Sequence, residues 1–346
     1  MIRNLAERAL DKLQRAYDLT LETRWRTEHQ VRQVVSEPLR GPPPSTPLLR
    51  WPTHYDWEHT GKWVDGLRQA LSSRVRIEMA PIHQPLERAV VLELEHEGRR
   101  HRVVIDYADK NEIHSQAARD SLVYLKMQCR RGGYGLAQVV PGGYVPGSPE
   151  LYRYLRPLRA LRDQREFTFD VNARFGLRFA PDLRRDAVGR LSAARDLRFQ
   201  GGTRLVRYSR HLREIAQSKV CVDLPGNGDF CFRLVDYLAV GACVVARRHG
   251  NLLPTDLVDG LHVVWVKDDL SDLVEKCREL VHDEERRERI ALGARRYFDA
   301  HLQQDVLAEL YLDRCFQALA RLPQARRGNR LRVSSSNQSL VVAPQL

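Results

Sequence analysis

The segment from Ser218 to Val245, SKVCVDLPGNGDFCFRLVDYLAVGACVV, combines two apolar runs, a turn cluster and a helical repeat. Lys219–Leu224 and Ala242–Ala246 predict strands, Pro225–Asp229 predicts a turn, and about Phe230–Val240 predicts an amphipathic helix. A strand that opens through glycines into a helix presents free backbone N–H groups and the positive end of the helix dipole. The segment therefore predicts an anion site, most often one for phosphate, with a simple βα turn as the alternative.

The polar residues of the predicted helix indicate which anion is bound. Arg233 and Asp236 are three residues apart in the sequence, so they share one face of the helix. A cation and a carboxylate on one face, beside a phosphate site, indicate a nucleotide.

Length and composition bound the fold class. The 346 residues suit two domains plus appendages, and a hydrophobic content of 43% is enough to build both cores. No window approaches the roughly 18 consecutive apolar residues of a membrane span, and the first residues lack the apolar core of a signal peptide. We therefore expect a cytoplasmic protein.

The six cysteines are scattered without a Cys-x-x-Cys pair, which argues against a zinc cluster or a disulfide scaffold.

The net charge of +12 points to anionic partners in general. The arginines are interleaved with Glu and Asp, as in RDQRE and EERRER, which is typical of a solvated, salt-bridged surface. Nucleic-acid binding is therefore the less favoured alternative.

The two ends of the chain are predicted to lie outside the two domains. Helical periodicity from about Asn4 to Ser36 predicts a long helix, which we expect to dock on the body of the protein. Pairing with a second copy as a homodimer, or peripheral membrane contact, are the alternatives for this helix. Leu39–Pro47 is a Pro-rich linker, and Pro323–Leu346 has too few apolar residues to pack, which predicts disorder. The predicted segments are 1–47 for helix and linker, 48–163 and 164–322 for two domains, and 323–346 for the tail.

The first domain is expected to contain a sheet whose strands end in polar loops. The predicted elements are a helix at Trp63–Ser72 and strands at Arg74–Ala80, Ala89–Glu97, His101–Tyr107, Leu122–Met127 and Gln138–Pro141. The second and third of these strands are separated by a short turn and predict a hairpin. Strand ends that lead into polar or glycine-rich loops are where α/β folds keep their chemistry.

The second domain alternates strand and helix. A helical piece at Glu150–Arg165, interrupted by Pro157, is predicted to bridge the domains. The elements predicted after it are strands at Phe167–Val171, Leu197–Phe199 and His262–Val266, and helices at Pro181–Arg195, Tyr208–Ser218, Leu270–His282, Glu284–Ala300 and Asp305–Ala320. Such alternation predicts a parallel sheet covered by helices on both faces.

The run from Tyr208 to Val266 resembles the donor-binding half of GT-B glycosyltransferases, of the exostosin-like and group-1 types. Phe232–Val245, FRLVDYLAVGACVV, is similar to the family pattern FRLxEALAxGxxPVV, and Leu253–Gly260 is similar to its LP…(V/I)xDG stretch. The resemblance implies an α/β fold with two Rossmann-like domains, a cleft between them and an N-terminal helical extension. The acceptor-side domain would be 48–163 and the nucleotide-sugar donor-binding domain 164–322.

One departure from the family concerns its acidic pair at E-x7-E spacing. Asp236 stands at the second position, but Gly228 stands at the first and Asp229 lies one place off. Asp also reaches about one methylene less far than Glu. Nucleotide binding by a different local geometry and loss of activity are both consistent with this change.

The resemblance implies a nucleotide-diphosphate sugar donor, UDP- or GDP-linked, with no metal and no other cofactor. The departing diphosphate gains negative charge, which fixed positive groups would stabilise. The donor-binding residues that this implies are Gly226, Asn227 and Gly228 through their backbone, Arg233 as a bidentate phosphate ligand, Asp236 for the ribose hydroxyls, and Arg174, in the loop after the domain's first strand, for the donor phosphate.

The acceptor side is marked by polar residues at the end of a first-domain strand. If the reaction inverts configuration, a general base must take the acceptor proton, and Asp106, Asp109 and His114 are the candidates. A retaining reaction needs no such base. The acceptor would be a sugar, a lipid-linked molecule, another small molecule or a protein. The competing hypotheses are a catalytically inactive GT-B-like binding protein and a nucleotide-sugar epimerase on the same scaffold.

Overall fold

The computed structural model describes residues 2–36, 46–57 and 60–322. The helices formed by these residues are α1 (Ile2–Ser36), α2 (Gly61–Ser72), α3 (Ser115–Asp120), α4 (Glu150–Asp163), α5 (Pro181–Ala193), α6 (Tyr208–Ala216), α7 (Phe232–Val240), α8 (Leu273–His282), α9 (Glu284–His301) and α10 (Gln304–Ala320). The strands are β1 (Leu48–Pro52), β2 (Arg76–Ala80), β3 (Ala89–His96), β4 (Arg99–Asp106), β5 (Val123–Lys126), β6 (Val139–Pro141), β7 (Phe169–Arg174), β8 (Phe199–Gly202), β9 (Ser218–Asp223), β10 (Cys243–Arg247) and β11 (Val264–Val266).

The first sheet is mixed, with the strand order β2-β1-β3-β4-β5-β6. The predicted hairpin is present as β3 and β4, which pair antiparallel from Ala89 opposite Asp106. From β4 onward the strands β4, β5 and β6 run parallel, so their carboxyl ends meet at one edge. The short strand β1 and the helix α3 were not predicted, because neither is long enough to show a clear period.

The second sheet is entirely parallel, as predicted, and its strand order is β11-β10-β9-β7-β8. The chain leaves β7 toward β8 on one side and returns to β9 on the other. This reversal opens a crevice at the carboxyl ends of β7 and β9, which is where open α/β sheets bind ligands. The predicted α/β class, with one sheet in each of two domains, is confirmed.

Helices α4 and α10 connect the two domains. Helix α10 leaves the second domain and packs against α2, and its Tyr311 joins a core that also contains Tyr107 of the first domain. The last part of the predicted 164–322 domain therefore packs on the first domain. Helix α4, predicted to be interrupted at Pro157, is one helix, because buried Tyr154 and Leu158 hold both sides of the proline in the core.

The N-terminal helix docks on the body of the protein, which confirms that prediction. Trp25 of α1 packs against Tyr154, with ring centroids 5.0 Å apart. Glu22 accepts hydrogen bonds from Arg207 and Ser209, each at 2.6 Å. The predictions of a homodimer or of membrane contact through this helix stay predictions. Most of the predicted linker and the whole predicted tail lie outside the described residues.

No helix within these described ranges combines the length and apolar character that crossing a membrane requires.

Candidate active site

A cleft of about 430 Å³ lies where the carboxyl end of the second sheet faces the first domain. The second domain contributes the loop after β9, the first turn of α7 and parts of α5 and α6. The first domain contributes two positions. The residues that line the cleft are Asp109 and Gly147 from the first domain, and Arg174, Gly176, Phe179, Arg184, Leu205, Val206, Tyr208, His211, Gly226, Asn227, Cys231, Phe232, Arg233 and Asp236 from the second.

The loop between β9 and α7, residues 224–231, is called the glycine loop below. It folds on itself through a hydrogen bond from the Gly226 N–H to the Gly228 carbonyl, at 3.0 Å. Both glycines are needed for space. A Cβ at Gly226 would lie 2.9 Å from Nη2 of Arg184, and one at Gly228 would overlap the side chains of Gln128 and Asp109. The structure thus places the predicted loop at the cleft and packs it tightly against both domains.

Arg233 lies in the first turn of α7 and is almost fully enclosed. Its Nη2 is 2.7 Å from a carboxylate oxygen of Asp223, at the end of β9, and donates to the Leu224 carbonyl at 2.9 Å. Its guanidinium lies 4.7 Å from the ring centre of Phe175. Burial alone would lower the pKa of Arg233, but the attraction of Asp223 outweighs it and the pKa is raised. Arg233 is therefore a fixed cation, and its buried Nε has no partner among the described residues.

A second guanidinium, that of Arg184, was missed by the sequence reasoning. It projects from α5 and donates to the Pro225 carbonyl at 3.1 Å and to the Gly176 carbonyl at 2.6 Å. Burial and then the charge of Arg233 lower its pKa. Its sequence signal is helical spacing, because Arg184 lies three residues before buried Ala187 and so on the apolar face of α5.

Asp236 lies one turn further along α7, is 2% exposed and lines the cleft. Its Oδ1 accepts hydrogen bonds from the Tyr208 hydroxyl at 2.7 Å and from the Gly147 N–H at 3.2 Å. Burial raises the pKa of Asp236 to about 7, although these two donors act to lower it. The predicted face shared with Arg233 is present, and the carboxylate also joins α7 to the first domain.

Arg174 lies in strand β7, whereas the sequence predicted it in the following loop. Its guanidinium is paired with Glu214 at 2.8 and 3.0 Å, and Nη1 donates to the Arg204 carbonyl at 2.7 Å. The strand runs longer than predicted because Asn172 and Ala173 pair with β8. The side chain reaches the cleft, but a buried carboxylate already balances its charge.

Among the three candidate bases, Asp109 lines the cleft. Its Oδ1 accepts from Gln128 Nε2 at 2.6 Å, and its carbonyl accepts from Asn227 Nδ2 at 2.7 Å. Burial raises the pKa of its carboxyl, with hydrogen bonds from Gly228 and Gln128 opposing.

The other two candidate bases lie elsewhere. Asp106 is enclosed with Lys126, 3.1 Å away, and accepts from the Tyr124 hydroxyl at 2.5 Å. His114 precedes α3, and its Nε2 lies 3.2 Å from the Glu87 carbonyl. Neither side chain lines the cleft. Their predicted role as bases stays a prediction that this geometry does not support.

His211 of α6 also lines the cleft and was not predicted. It lies three residues after Tyr208, so both face the same side of the helix. Burial, then the charges of Arg233 and Arg174, lower its pKa to about 3. The ring is therefore neutral near pH 7, and its buried Nδ1 has no hydrogen-bond partner in the described part of the chain. A lone histidine between charged residues gives no signal in the sequence.

Within the described ranges, no three or more His, Cys, Asp or Glu side chains group closely enough to hold a metal ion. The cysteines there are unpaired thiols, including Cys231 at the cleft.

Comparison with known proteins agrees with this placement. Residues 162–311 match the family described as glycosyl transferase-like. This segment contains the whole second sheet, the glycine loop and α7, so the resemblance found for Tyr208–Val266 is confirmed for this half of the chain. No curated protein matches the chain.

Several solved structures are similar to the chain at low identity. A glycosyltransferase from Rickettsia africae is 12% identical, with a TM-score of 0.34 over 54% of this chain and 58% of that one. HepE from Anabaena in complex with UDP is 15% identical, with a TM-score of 0.37 over 54% and 59%. HepE with UDP and glucose is 15% identical, with a TM-score of 0.38 over 60% and 65%. The chain thus spans less than two thirds of the length of these structures.

Proposed function

We propose that this chain, whose residues 162–311 belong to the glycosyl transferase-like family, transfers a sugar from a nucleotide-diphosphate donor to an acceptor. The donor would be UDP- or GDP-linked and would bind in the cleft between the domains. The acceptor, a sugar, a lipid-linked molecule, another small molecule or a protein, would enter from the first-domain side.

The observation that supports this proposal is the charge balance of the glycine loop. The guanidinium groups of Arg184 and Arg233 both contact the loop or its flanks, and the carboxylate enclosed with them is that of Asp223. The first turn of α7 adds backbone N–H groups at the positive end of its dipole. On its second-domain side the loop therefore has two guanidinium groups around one carboxylate, which suits a diphosphate.

The same charges suit the chemistry of transfer. The bond between the anomeric carbon and the phosphate oxygen breaks with its electrons going to the oxygen, while the acceptor hydroxyl oxygen bonds to that carbon and loses its proton. Negative charge then grows on the departing diphosphate. Groups that line the cleft and are already held in place, such as Arg233 and the α7 N-terminus, would stabilise it without reorganising. We propose that these groups, rather than a metal ion, provide this stabilisation.

Calorimetric titration with UDP, GDP and ADP, each with and without its attached sugar, tests the proposal. We expect one nucleoside diphosphate to bind and Arg233→Ala to weaken that binding. Incubation with the sugar nucleotide that binds should then release its diphosphate, slowly with water alone and faster with the correct acceptor. Absence of binding by all of these nucleotides would overturn the proposal.

A second candidate function is nucleotide-sugar binding without transfer. The observation that favours it is that Asp236 and Arg174, two predicted donor ligands, already have protein partners in Tyr208 and Glu214. In that case a sugar nucleotide would bind, and no diphosphate would be released over many hours with any acceptor.

A further inference from the structure

We propose that Asp109, a residue of the first domain, is the carboxylate that binds hydroxyl groups of the donor sugar. Its side chain occupies the space that a side chain at position 228 of the glycine loop would fill. This inference rests on the proposed function, because it assigns a ligand group within the same cleft.

The first support is the position of Asp109. A Cβ built at Gly228 would overlap Oδ1 of Asp109 and the amide of Gln128. Gly228 is the position at which the sequence pattern expects an acid, eight residues before Asp236. The chain thus has a carboxylate at this place in space, supplied by the loop after β4 instead of by the glycine loop.

The second support is that Asp109 is fixed to the glycine loop. Gln128 Nε2 donates both to Asp109 Oδ1 at 2.6 Å and to the Phe230 carbonyl at 2.7 Å. The Gln128 Oε1 accepts from the Tyr144 hydroxyl at 3.1 Å and from the Asn251 amide, which fixes the orientation of the Gln128 side chain. Asp109 therefore keeps its place relative to the donor loop.

Asn227 and Gly228 complete this attachment from the loop side. The Asn227 amide donates to the Asp109 carbonyl at 2.7 Å, and a backbone hydrogen bond from Gly228 reaches the Asp109 carboxyl. Since an ionised carboxylate can accept about four hydrogen bonds, Gln128 and Gly228 leave room for ligand donors.

The third support is the polarity of the cleft. Arg184 and Arg233 lie on the second-domain side of the glycine loop, and Asp109 lies on its first-domain side. A diphosphate is drawn to the arginines and repelled by the carboxylate. A neutral sugar carries hydroxyl donors that a carboxylate accepts, so the charge pattern orients the donor with its sugar toward Asp109.

The test compares each nucleoside diphosphate with its sugar conjugate by calorimetric titration, using UDP with UDP-glucose and GDP with GDP-mannose. We expect Asp109→Ala to weaken the sugar nucleotide about 10- to 100-fold, as for loss of hydrogen bonds to a charged group. The bare diphosphate should change by less than about threefold. The matched control is Asp120→Ala, which removes an exposed first-domain carboxylate that accepts from Gln116 outside the cleft, and it should change neither ligand.

A second variant keeps the inference testable if Asp109→Ala loosens the loop. Asp109→Asn keeps an acceptor oxygen for Gln128 but removes the charge and one acceptor, so it should hold the loop and still weaken the sugar nucleotide more than the bare diphosphate. Equal weakening of diphosphate and sugar nucleotide would overturn the inference and leave Asp109 as a support of the loop. Unchanged binding with lost turnover would also overturn it, in favour of an acceptor base. If the wild-type protein binds none of the four probes, the proposed function fails as well.

Discussion

Both sheets have charged residues at the carboxyl ends of their strands, but these charges are balanced differently in the two domains. In the first domain β4 ends at Asp106 and β5 at Lys126, and these side chains, 1% and 0% exposed, pair with each other at 3.1 Å. In the second domain β9 ends at Asp223, which pairs with Arg233 while Arg184 adds a second cation. The first edge pairs one cation with one carboxylate, and the second places two guanidinium groups around one carboxylate beside the cleft. A charged residue at a strand end can therefore contribute to ligand binding only where its protein partners do not fully balance its charge.

Breaking the closed pair of the first edge should have the largest effect. Lys126→Met leaves the Asp106 carboxylate buried without its cation, and we expect a loss of about 3–5 kcal/mol in the free energy of unfolding. Denaturant titration at pH 7 measures this loss. The variant should still bind the nucleoside diphosphate within about threefold once folded, because the pair lies outside the cleft.

The control for this prediction removes both partners. Asp106→Leu combined with Lys126→Met leaves no buried charge, so it should be clearly more stable than Lys126→Met alone. If Lys126→Met were as stable as the wild type, the Asp106–Lys126 pair would be hydrated in solution. The two edges would then not differ in how their charges are enclosed.

The next largest expected effect is a pH dependence of stability caused by Asp236, whose carboxylate joins α7 to the first domain. Burial raises its pKa to about 7, above the value of about 3.9 for an unfolded Asp. Between these values the folded protein holds a proton that the unfolded chain has lost. The stability that Asp236 contributes is therefore complete below about pH 4 and decreases as the pH rises toward 7.

The measurement is the difference in unfolding free energy between wild type and Asp236→Asn at pH 5 and pH 8. Asn keeps an acceptor for Tyr208 but does not titrate, so the wild type should lose roughly 2–4 kcal/mol relative to it as the pH rises. Exposed Asp182, replaced by Asn, serves as the control and should show no such trend. A flat difference for Asp236→Asn would mean that this carboxyl is hydrated.

At the second edge, removing the cation should weaken ligand binding. Arg233→Ala should reduce affinity for the bound nucleoside diphosphate by roughly 1.5–3 kcal/mol, the usual value for a charged hydrogen bond. It also leaves the buried Asp223 carboxylate without its cation, so circular dichroism first checks that the variant is folded. Arg174→Ala should cost less affinity, because Glu214 binds two guanidinium nitrogens of Arg174, whereas Asp223 contacts one nitrogen of Arg233. Calorimetric titration of both variants gives the comparison. Equal losses would support the predicted phosphate contact of Arg174, and an unchanged affinity for Arg233→Ala would remove Arg233 from the site.

The sequence predicted the second sheet better than the site on it. Its strands and helices have clear periods, so a parallel sheet and the glycine loop were predicted from local pattern. Pro157 shows the limit of local rules, since a proline that would end an isolated helix lies inside α4. Contacts from distant parts of the chain, here the burial of Tyr154 and Leu158, decide such cases.

Residues that line the cleft were predictable where the loop or helix itself supplies them, as with Gly226, Arg233 and Asp236. Their partners were not, because pairing depends on three-dimensional packing. Glu214 lies 40 residues from Arg174 in sequence, and Gln128 lies 102 residues from Phe230. Nothing in the local pattern distinguishes a guanidinium with a buried partner from one beside a ligand, so the roles of Arg174 and Arg184 required the fold.

The smallest expected effect tests whether the glycine loop binds the nucleoside diphosphate through its backbone or through its side chains. The Asn227 amide crosses the cleft to the Asp109 carbonyl at 2.7 Å and is exposed. Asn227→Ala should therefore cost about 0.5–1.5 kcal/mol in the free energy of unfolding, the net value of a neutral hydrogen bond. Affinity for the nucleoside diphosphate should change by less than about threefold, since Ala keeps the backbone N–H that the ligand would use. A loss of diphosphate affinity with unchanged stability would instead show that the side chain binds the ligand, and the second edge would then depend on its loop side chains as the first edge does on Asp106 and Lys126.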